Sequence, residues 1–320
     1  MKSFSLLLLF AALLLCADAR ASCTFTSSSL TLGQPPNTIS TRQLYDGSAS
    51  PPQSQVSSGF GCTGVVNLLV MQTIKATLQS STNGLRLRRV GGSELIPYQL
   101  FPTSAYSTPL SIGQTWDFST IDVLGLLSGP GGTLLMYVRV PVGGLDVPQG
   151  TYQDTVTFNW DVDVCAVGVL TCLVPSYQGT GTSTVTVMLL VQKACSVSAS
   201  NVNLGSVALL SQVPTFQGMV YVSCSLGEGY QLGFDNGDHA NGNQRRFYNA
   251  ATNQYINYQI RKTDNTEWHN DWGTGDVLSA LGAGHSGGGA SQAFKVDIDA
   301  GQATPAPAIY TDRVRVQVYF

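Results

Sequence analysis

Gly284-His285-Ser286-Gly287-Gly288 has the G-x-S-x-G spacing of a nucleophile elbow, in which a serine on a tight strand-to-helix turn attacks a carbonyl. The motif works only in an α/β sheet with a positioned acid and base. Here it stands in a glycine-rich stretch and reads as a flexible turn. Asp161 and Asp163 are the carboxylates best spaced for glycoside hydrolysis, yet at i and i+2 of a strand they merely share a face. Asp235, Asp238 and Asn241 crowd one turn; lacking the ligand pattern of an EF-hand loop, they read as turn formers. His239 and His269 belong to no spaced Cys/His cluster, which argues against zinc. Arg86, Arg88 and Arg89 read as the solvent face of a strand. Trp268 and Trp272, with Tyr248, Tyr255 and Tyr258, read as core or cross-strand aromatics and not as a carbohydrate platform. No catalytic residue, metal site or cofactor is expected, and the chain is not read as an enzyme.

The cysteines report on the compartment. Lys2, an apolar run over residues 6–15 and Ala19-Arg20-Ala21 are the three parts of a secretory signal spanning residues 1–21. That run is too short for the roughly 20 residues a bilayer span requires, so no membrane insertion is expected. Cys16 falls inside the removed segment, and Leu15 before it does not suit a lipoprotein site. Six cysteines remain, Cys23, Cys62, Cys165, Cys172, Cys195 and Cys224, an even number bound for an oxidising environment, so three disulfides are expected. A formal net charge of -3 with 11% charged residues lacks the basic footprint that nucleic acid requires.

Strands must position all of these residues. Leu85-Arg86-Leu87-Arg88, Thr155-Val156-Thr157-Phe158, Thr184-Val185-Thr186-Val187 and Val314-Arg315-Val316-Gln317-Val318 alternate as half-buried strands do. Only residues 123–127 and 277–281 offer a short helical turn. The fold class is all-β.

The chain also repeats itself. Cys23-Thr-Phe-Thr-Ser-Ser28-Ser-Leu-Thr-Leu32-Gly33 matches Cys195-Ser-Val-Ser-Ala-Ser200-Asn-Val-Asn-Leu204-Gly205. Ile96-Pro-Tyr98-Gln99-Leu100 matches Ile256-Asn-Tyr258-Gln259-Ile260, and Tyr152-Gln-Asp154-Thr-Val156 matches Tyr310-Thr-Asp312-Arg-Val314. Two tandem β-sandwich domains follow, residues 22–191 and 192–320. The repeat pairs Cys23 with Cys62 and Cys195 with Cys224, and leaves Cys165 and Cys172 to close a small loop. The first unit continues past its Tyr-x-Asp strand into a further strand, residues 184–191, whereas the second stops at Phe320. A sandwich short of one strand leaves an open edge that invites strand addition.

On Cys195 and Cys224, Tyr258-Gln259, Trp272-Gly273, Gly301-Gln302 and Tyr310-Thr-Asp312 leading to Tyr319-Phe320, the sequence resembles the spore coat protein U family and, within it, two-domain tip adhesins of archaic, Csu-type chaperone-usher pili. The resemblance implies immunoglobulin-like domains, the C-terminal one incomplete. A periplasmic chaperone would cover that domain first, and an outer-membrane usher would then hand it to the next pilus subunit, whose N-terminal strand completes it. Val314, Val316, Val318 and Phe320 would form the interface with chaperone or donor strand. With only Ser22 ahead of Cys23, the chain has no donor extension and is expected at the pilus tip, secreted through the periplasm to the cell surface.

Chain direction locates the binding pole. If residues 184–191 run into the linker, the 165–182 connection lies at the far end, and so does 121–132. Both are apolar: Ala166, Val167, Val169 and Leu170 within the disulfide ring, and Val123, Leu124, Leu126 and Leu127 before a Ser-Gly-Pro-Gly-Gly stretch. Exposed apolar clusters mark contact sites, the alternative being that these side chains fold inward as plugs for the sandwich ends. The expected function is therefore attachment to abiotic hydrophobic or host surfaces and biofilm formation through these loops. A lectin-like tip protein and a structural pilin or coat subunit are the alternatives.

Overall fold

Val156, Phe158, Trp160, Val162 and Val164 alternate with Thr, Asn and Asp, and the strand they form buries every apolar member while leaving its neighbours at least partly open. The same periodicity builds the rest of the chain. A computed structural model describes residues 22–33, 38–63, 66–67, 73–119, 133–164, 167–168, 177–271 and 276–320, with backbone alone at 66–67 and 167–168. The chain forms two compact units. Unit 1 comprises residues up to Ile39, Ala49–Val142 and Gly150–Val191; unit 2 comprises Ser40–Ser48, Gly143–Gln149 and Gln192–Phe320.

The strands up to the end of unit 1 are β1 (Ser22–Phe25), β2 (Ser27–Leu32), β3 (Ile39–Ser40), β4 (Gln53–Thr63), β5 (Val66–Asn67), β6 (Thr73–Ser81) and β7 (Arg86–Arg89). They continue with β8 (Leu95–Pro97), β9 (Gln99–Phe101), β10 (Thr115–Asp117), β11 (Thr133–Arg139), β12 (Gly150–Val164), β13 (Val167–Gly168) and β14 (Tyr177–Gln192). One sheet of unit 1 has the order β1-β4-β11-β9 and the other β10-β6-β12-β14-β2, where β2 joins β14 in parallel. Phe60, Trp160, Phe158, Val185, Val187 and Leu189 fill the interior, each at most 1% exposed. Phe60 stacks on Trp160 with ring centroids 4.7 Å apart. The Trp160 indole N–H donates to Ser183 Oγ at 2.8 Å and Ser183 donates to the Ser58 carbonyl at 2.6 Å, so the buried polar atoms are satisfied. Gly59 has φ +76°, and a Cβ there would lie 2.1 Å from the Thr26 carbonyl oxygen, so only glycine fits.

Unit 2 contains β15 (Cys195–Ala199), β16 (Phe216–Cys224), β17 (Gly229–Phe234), β18 (Arg245–Asn249), β19 (Gln254–Arg261), β20 (Leu278–Leu281), β21 (Ala290–Ile298) and β22 (Val316–Tyr319). Its sheets have the orders β15-β16-β21-β19-β18 and β20-β17-β22. Val220, Leu232, Phe234, Tyr258, Trp268 and Phe294 form its core. Arg245 is fully buried there, its guanidinium donating to the carbonyls of Phe234, Asp235 and Trp268, and burial lowers its pKa to about 10.

The repeat is chemical as well as topological. Cys23 lies opposite Cys62 on β4, and Cys195 opposite Cys224 on β16; both pairs are bridged with Cα atoms 4.1 Å apart. Cys165 and Cys172 lie outside the described residues. Tyr98 donates its hydroxyl to Asp154 at 2.8 Å, and the matching Tyr258 donates to the matching Asp312 at 2.6 Å. Burial and the adjacent carboxylate push both phenols far above the ordinary tyrosine pKa.

Three local readings change. Residues 177–182, expected within the 165–182 connection, open strand β14, because β12 extends far enough to give each of them a ladder partner, up to Val164 opposite Tyr177. Residues 278–281 form strand β20, because the five residues 277–281 are too few to distinguish a strand from a helical turn until β17 supplies a ladder. The sequence reading also misses the helix α1 (Thr41–Asp46), which is set by a capping box in which Ser40 and Gln43 bond reciprocally and ended by Gly47 in the left-handed region.

Candidate interaction surfaces

The residues with catalytic spacing do not assemble into a catalytic site. His285 is buried, with Nδ1 2.8 Å from Ser223 Oγ and Nε2 2.9 Å from Thr41 Oγ1, so neither ring nitrogen bonds Ser286. The backbone N–H groups of His285 and Ser286 instead donate to the Asp146 carboxylate, which holds its pKa below the usual range against the opposing effect of burial. Arg315 bridges Asp235 and Asp238 at 3.2 and 2.9 Å, and Asn241 forms an isolated bridge with Gln244. His239 packs on Tyr248, and His269 bonds Asn236 and Glu267. No cluster of three or more His, Cys, Asp or Glu suited to a metal occurs among the described residues. Trp268 is in the core, donating to the Leu232 carbonyl, and Tyr258 stacks on Phe247 at 4.0 Å. Tyr248 and Tyr255 are a cross-strand stacked pair at 4.8 Å. Trp272 lies outside the described residues. Arg86 and Arg88 face solvent, and Arg89 is half-buried beside Glu94.

Unit 1 gathers three connections at one pole. Thr133, where β11 begins, is paired with Gly61 near the end of β4; Val164, the end of β12, is paired with Tyr177, the start of β14. Thr73, the start of β6, is paired with Asp163, and Asp117, the end of β10, with Lys75. Connections 64–72, 120–132 and 165–176 therefore all depart from this pole. Ala166, Val169, Leu170, Val123, Leu124, Leu126 and Leu127 lie outside the described residues. The backbone of Val167 is described, paired in parallel with Val66. That pairing draws attention to residues 64–72, which the sequence reading passed over. They hold Val65, Val66, Leu68, Leu69, Val70 and Met71, an apolar run comparable to the other two.

Unit 2 presents an edge. Its strands β20, β17 and β22 correspond to β10, β6 and β12 of unit 1, where β14 follows next. Among the described residues, β22 is hydrogen-bonded to one strand only, β17, while β15 packs near it without forming a ladder. The consequence shows in burial. Val156, Phe158, Trp160 and Val162 are at most 1% exposed under β14, while their counterparts Val314, Val316 and Val318 are half-buried and Phe320 is 40% exposed. Residues 200–204, the counterpart of most of β2, form no strand; β2 pairs with β14.

A profile described as the spore coat protein U domain matches residues 9–159 and 181–317. No curated protein matches the chain. Among solved structures, the chain is similar to one in the CsuC–CsuE chaperone–tip adhesion subunit pre-assembly complex from archaic chaperone-usher Csu pili of Acinetobacter baumannii. The identity is 22%, with 93% of this chain and 100% of that chain covered and a TM-score of 0.60, a likeness of fold. A chain from a chaperone–tip adhesin complex of CFA/I fimbriae biogenesis follows at 12% identity, covering 92% and 96%, with a TM-score of 0.32 that carries no argument.

Proposed function

The chain belongs to the spore coat protein U domain family, whose members are structural or adhesive and not enzymatic, and from that premise we propose that it is an adhesive subunit of a chaperone-usher pilus. One observation carries the reading: unit 2 repeats the strand order of unit 1 up to β22, and among the described residues no strand is hydrogen-bonded to β22 where β14 joins β12 in unit 1. An unpaired edge over half-buried valines is the substrate for strand addition, of which chaperone–pilin complementation is an established case. A periplasmic chaperone covers β22 first. The N-terminal strand of the next subunit, delivered at the outer-membrane usher, replaces it and fixes the protein at the cell surface. No described helix is long and apolar enough to cross a membrane.

Unit 1 supplies adhesion through the apolar side chains of its three polar-end connections, residues 64–72, 120–132 and 165–176. Three to five such side chains pressed against a hydrophobic surface contribute roughly 1.5–3 kcal/mol each before entropic losses, and many fibres multiply a modest single affinity. Val169→Thr with Leu170→Ser is expected to lower attachment to plastic, and biofilm formation, on cells that remain piliated. Normal attachment by such cells refutes the adhesive role.

The assembly role has its own test. A peptide with the sequence of residues 182–192, whose Val185, Val187, Leu189 and Val191 face inward in unit 1, is expected to raise the thermal midpoint of the full chain. Replacing those four residues by Asp abolishes the effect. No shift with either peptide refutes an open acceptor edge.

A further inference from the structure

The outward face of unit 1 carries a feature that neither apolar attachment nor assembly uses. Register across four strands sets Thr115, Thr77, Asn159 and Thr182 in one row. The next row is Asp117, Lys75, Asp161 and Thr180. All of these except Asp117 line an open groove of about 710 Å³, a volume within the roughly 300–1,000 Å³ of small-molecule sites. Trp160 also borders it and is 1% exposed.

The groove is partly self-bonded and partly open. Thr77 and Thr115 share a hydroxyl bond at 2.7 Å, Thr182 donates to Asn159 Oδ1 at 3.3 Å, and Lys75 stands 3.8 Å from Asp117. The Asp161 carboxylate and Thr180 hydroxyl have no partner among the described residues, and the Asn159 amide N–H groups remain free to donate.

Residue choice points to the ligand. From Thr155 to Asp163 on β12 and from Gln178 to Thr186 on β14, every outward position is Thr, Asn, Asp or Gln, with no Lys, Arg or Glu. Short and β-branched side chains hold their rotamers and lose little entropy on binding, unlike the long charged chains of an ordinary solvated face. The absence of outward apolar side chains disfavours a hydrophobic partner. Two aspartates against one lysine disfavour an anionic polymer. Hydroxyls, a carboxylate, an amide and an ammonium together donate and accept, and they stand about 4.8 Å apart across strands and about 6.8 Å apart along them, the scale of hydroxyls on linked pyranoses.

We infer that this groove binds an uncharged oligosaccharide, with Asp161 and Thr180 taking hydroxyls of one sugar and Asn159 those of its neighbour. The site lies on the sheet face and stands independently of the apolar connections. Calorimetric titration of the full chain with maltotriose, cellotriose and the trimer of N-acetylglucosamine is the test. At least one trimer is expected to bind saturably with a Kd of about 1 mM or tighter, near -4 kcal/mol. Asp161→Ala and Asn159→Ala each weaken it about tenfold, ~1.4 kcal/mol. Thr184→Ala, beyond the groove, leaves affinity unchanged, and the thermal midpoint of Asp161→Ala equals that of the parent. Absence of saturable binding by all three trimers, affinity that survives both groove substitutions, or tighter binding of a uronic-acid trimer overturns the assignment.

Discussion

Replacing Tyr258 by Phe removes one atom from unit 2 and tests whether its internal likeness to unit 1 has energetic content. The lost contact is an O–H donated to Asp312 at 2.6 Å from a phenol 2% exposed. Hydrogen bonds to charged groups are worth about 1.5–3 kcal/mol. Asp312 keeps the Asp238 N–H at 3.0 Å and is partly open to solvent, so the lower end applies, about 1.5 kcal/mol. For a unit of roughly 150 residues that lowers the thermal midpoint by about 3–6 °C. The pH dependence gives an independent check. Because the folded pKa of Tyr258 is raised, its contribution is complete below the unfolded value near 10 and declines above it by about 1.4 kcal/mol per pH unit. Circular-dichroism melts of parent and variant between pH 7 and 11 should therefore converge as pH passes 10. A variant that melts with the parent at pH 7, or a gap that widens above pH 10, refutes the reasoning.

Cys195→Ser with Cys224→Ser opens a loop of 29 residues' separation and should cost about 3.5 kcal/mol on the chain-entropy relation, read as a lower denaturant midpoint. His285 is held below its ordinary pKa of 6.5, chiefly by burial. Its neighbours include the Asp146 carboxylate, which favours protonation, and Arg42, which opposes it. The neutral ring is thus the form the fold prefers, so its contribution is present above pH 6.5 and is lost as pH falls below it. Urea unfolding between pH 7 and 5 should show that decline, and His285→Gln should flatten it.

How much of this was legible depended on range along the chain. Alternation placed the strands over 155–164 and 184–191 because a period of two is written in neighbouring residues, but it missed 177–182, where Gly179 and Gly181 stand at the inward positions and leave no apolar beat to read. Self-comparison matched Tyr98 and Asp154 to Tyr258 and Asp312, whose side chains meet across more than 50 residues in each unit. The helix at 41–46 escaped because six residues give no periodic window, though Ser40 and Gln43 carry its start signal. Asp161 and Asp163 were correctly put on one strand face, but the Lys75 and Thr180 beside Asp161 come from other strands, and a groove made by register has no linear signature. The apolar run 64–72 was unremarked for a similar reason. Only the pairing of Val66 with Val167 links that run to the connection after β12.

The ladder between β12 and β14 runs unbroken from Gly150 opposite Val191 to Val164 opposite Tyr177, and β2 grips the other side of β14. Tension applied between the pole where β14 begins and Gln192 where it ends runs parallel to that strand. Its hydrogen bonds then carry the load in shear, all together, whereas a hairpin pulled from one end would unzip a bond at a time. Unit 1 is in that sense built like a lap joint, holding longest when dragged along its own length.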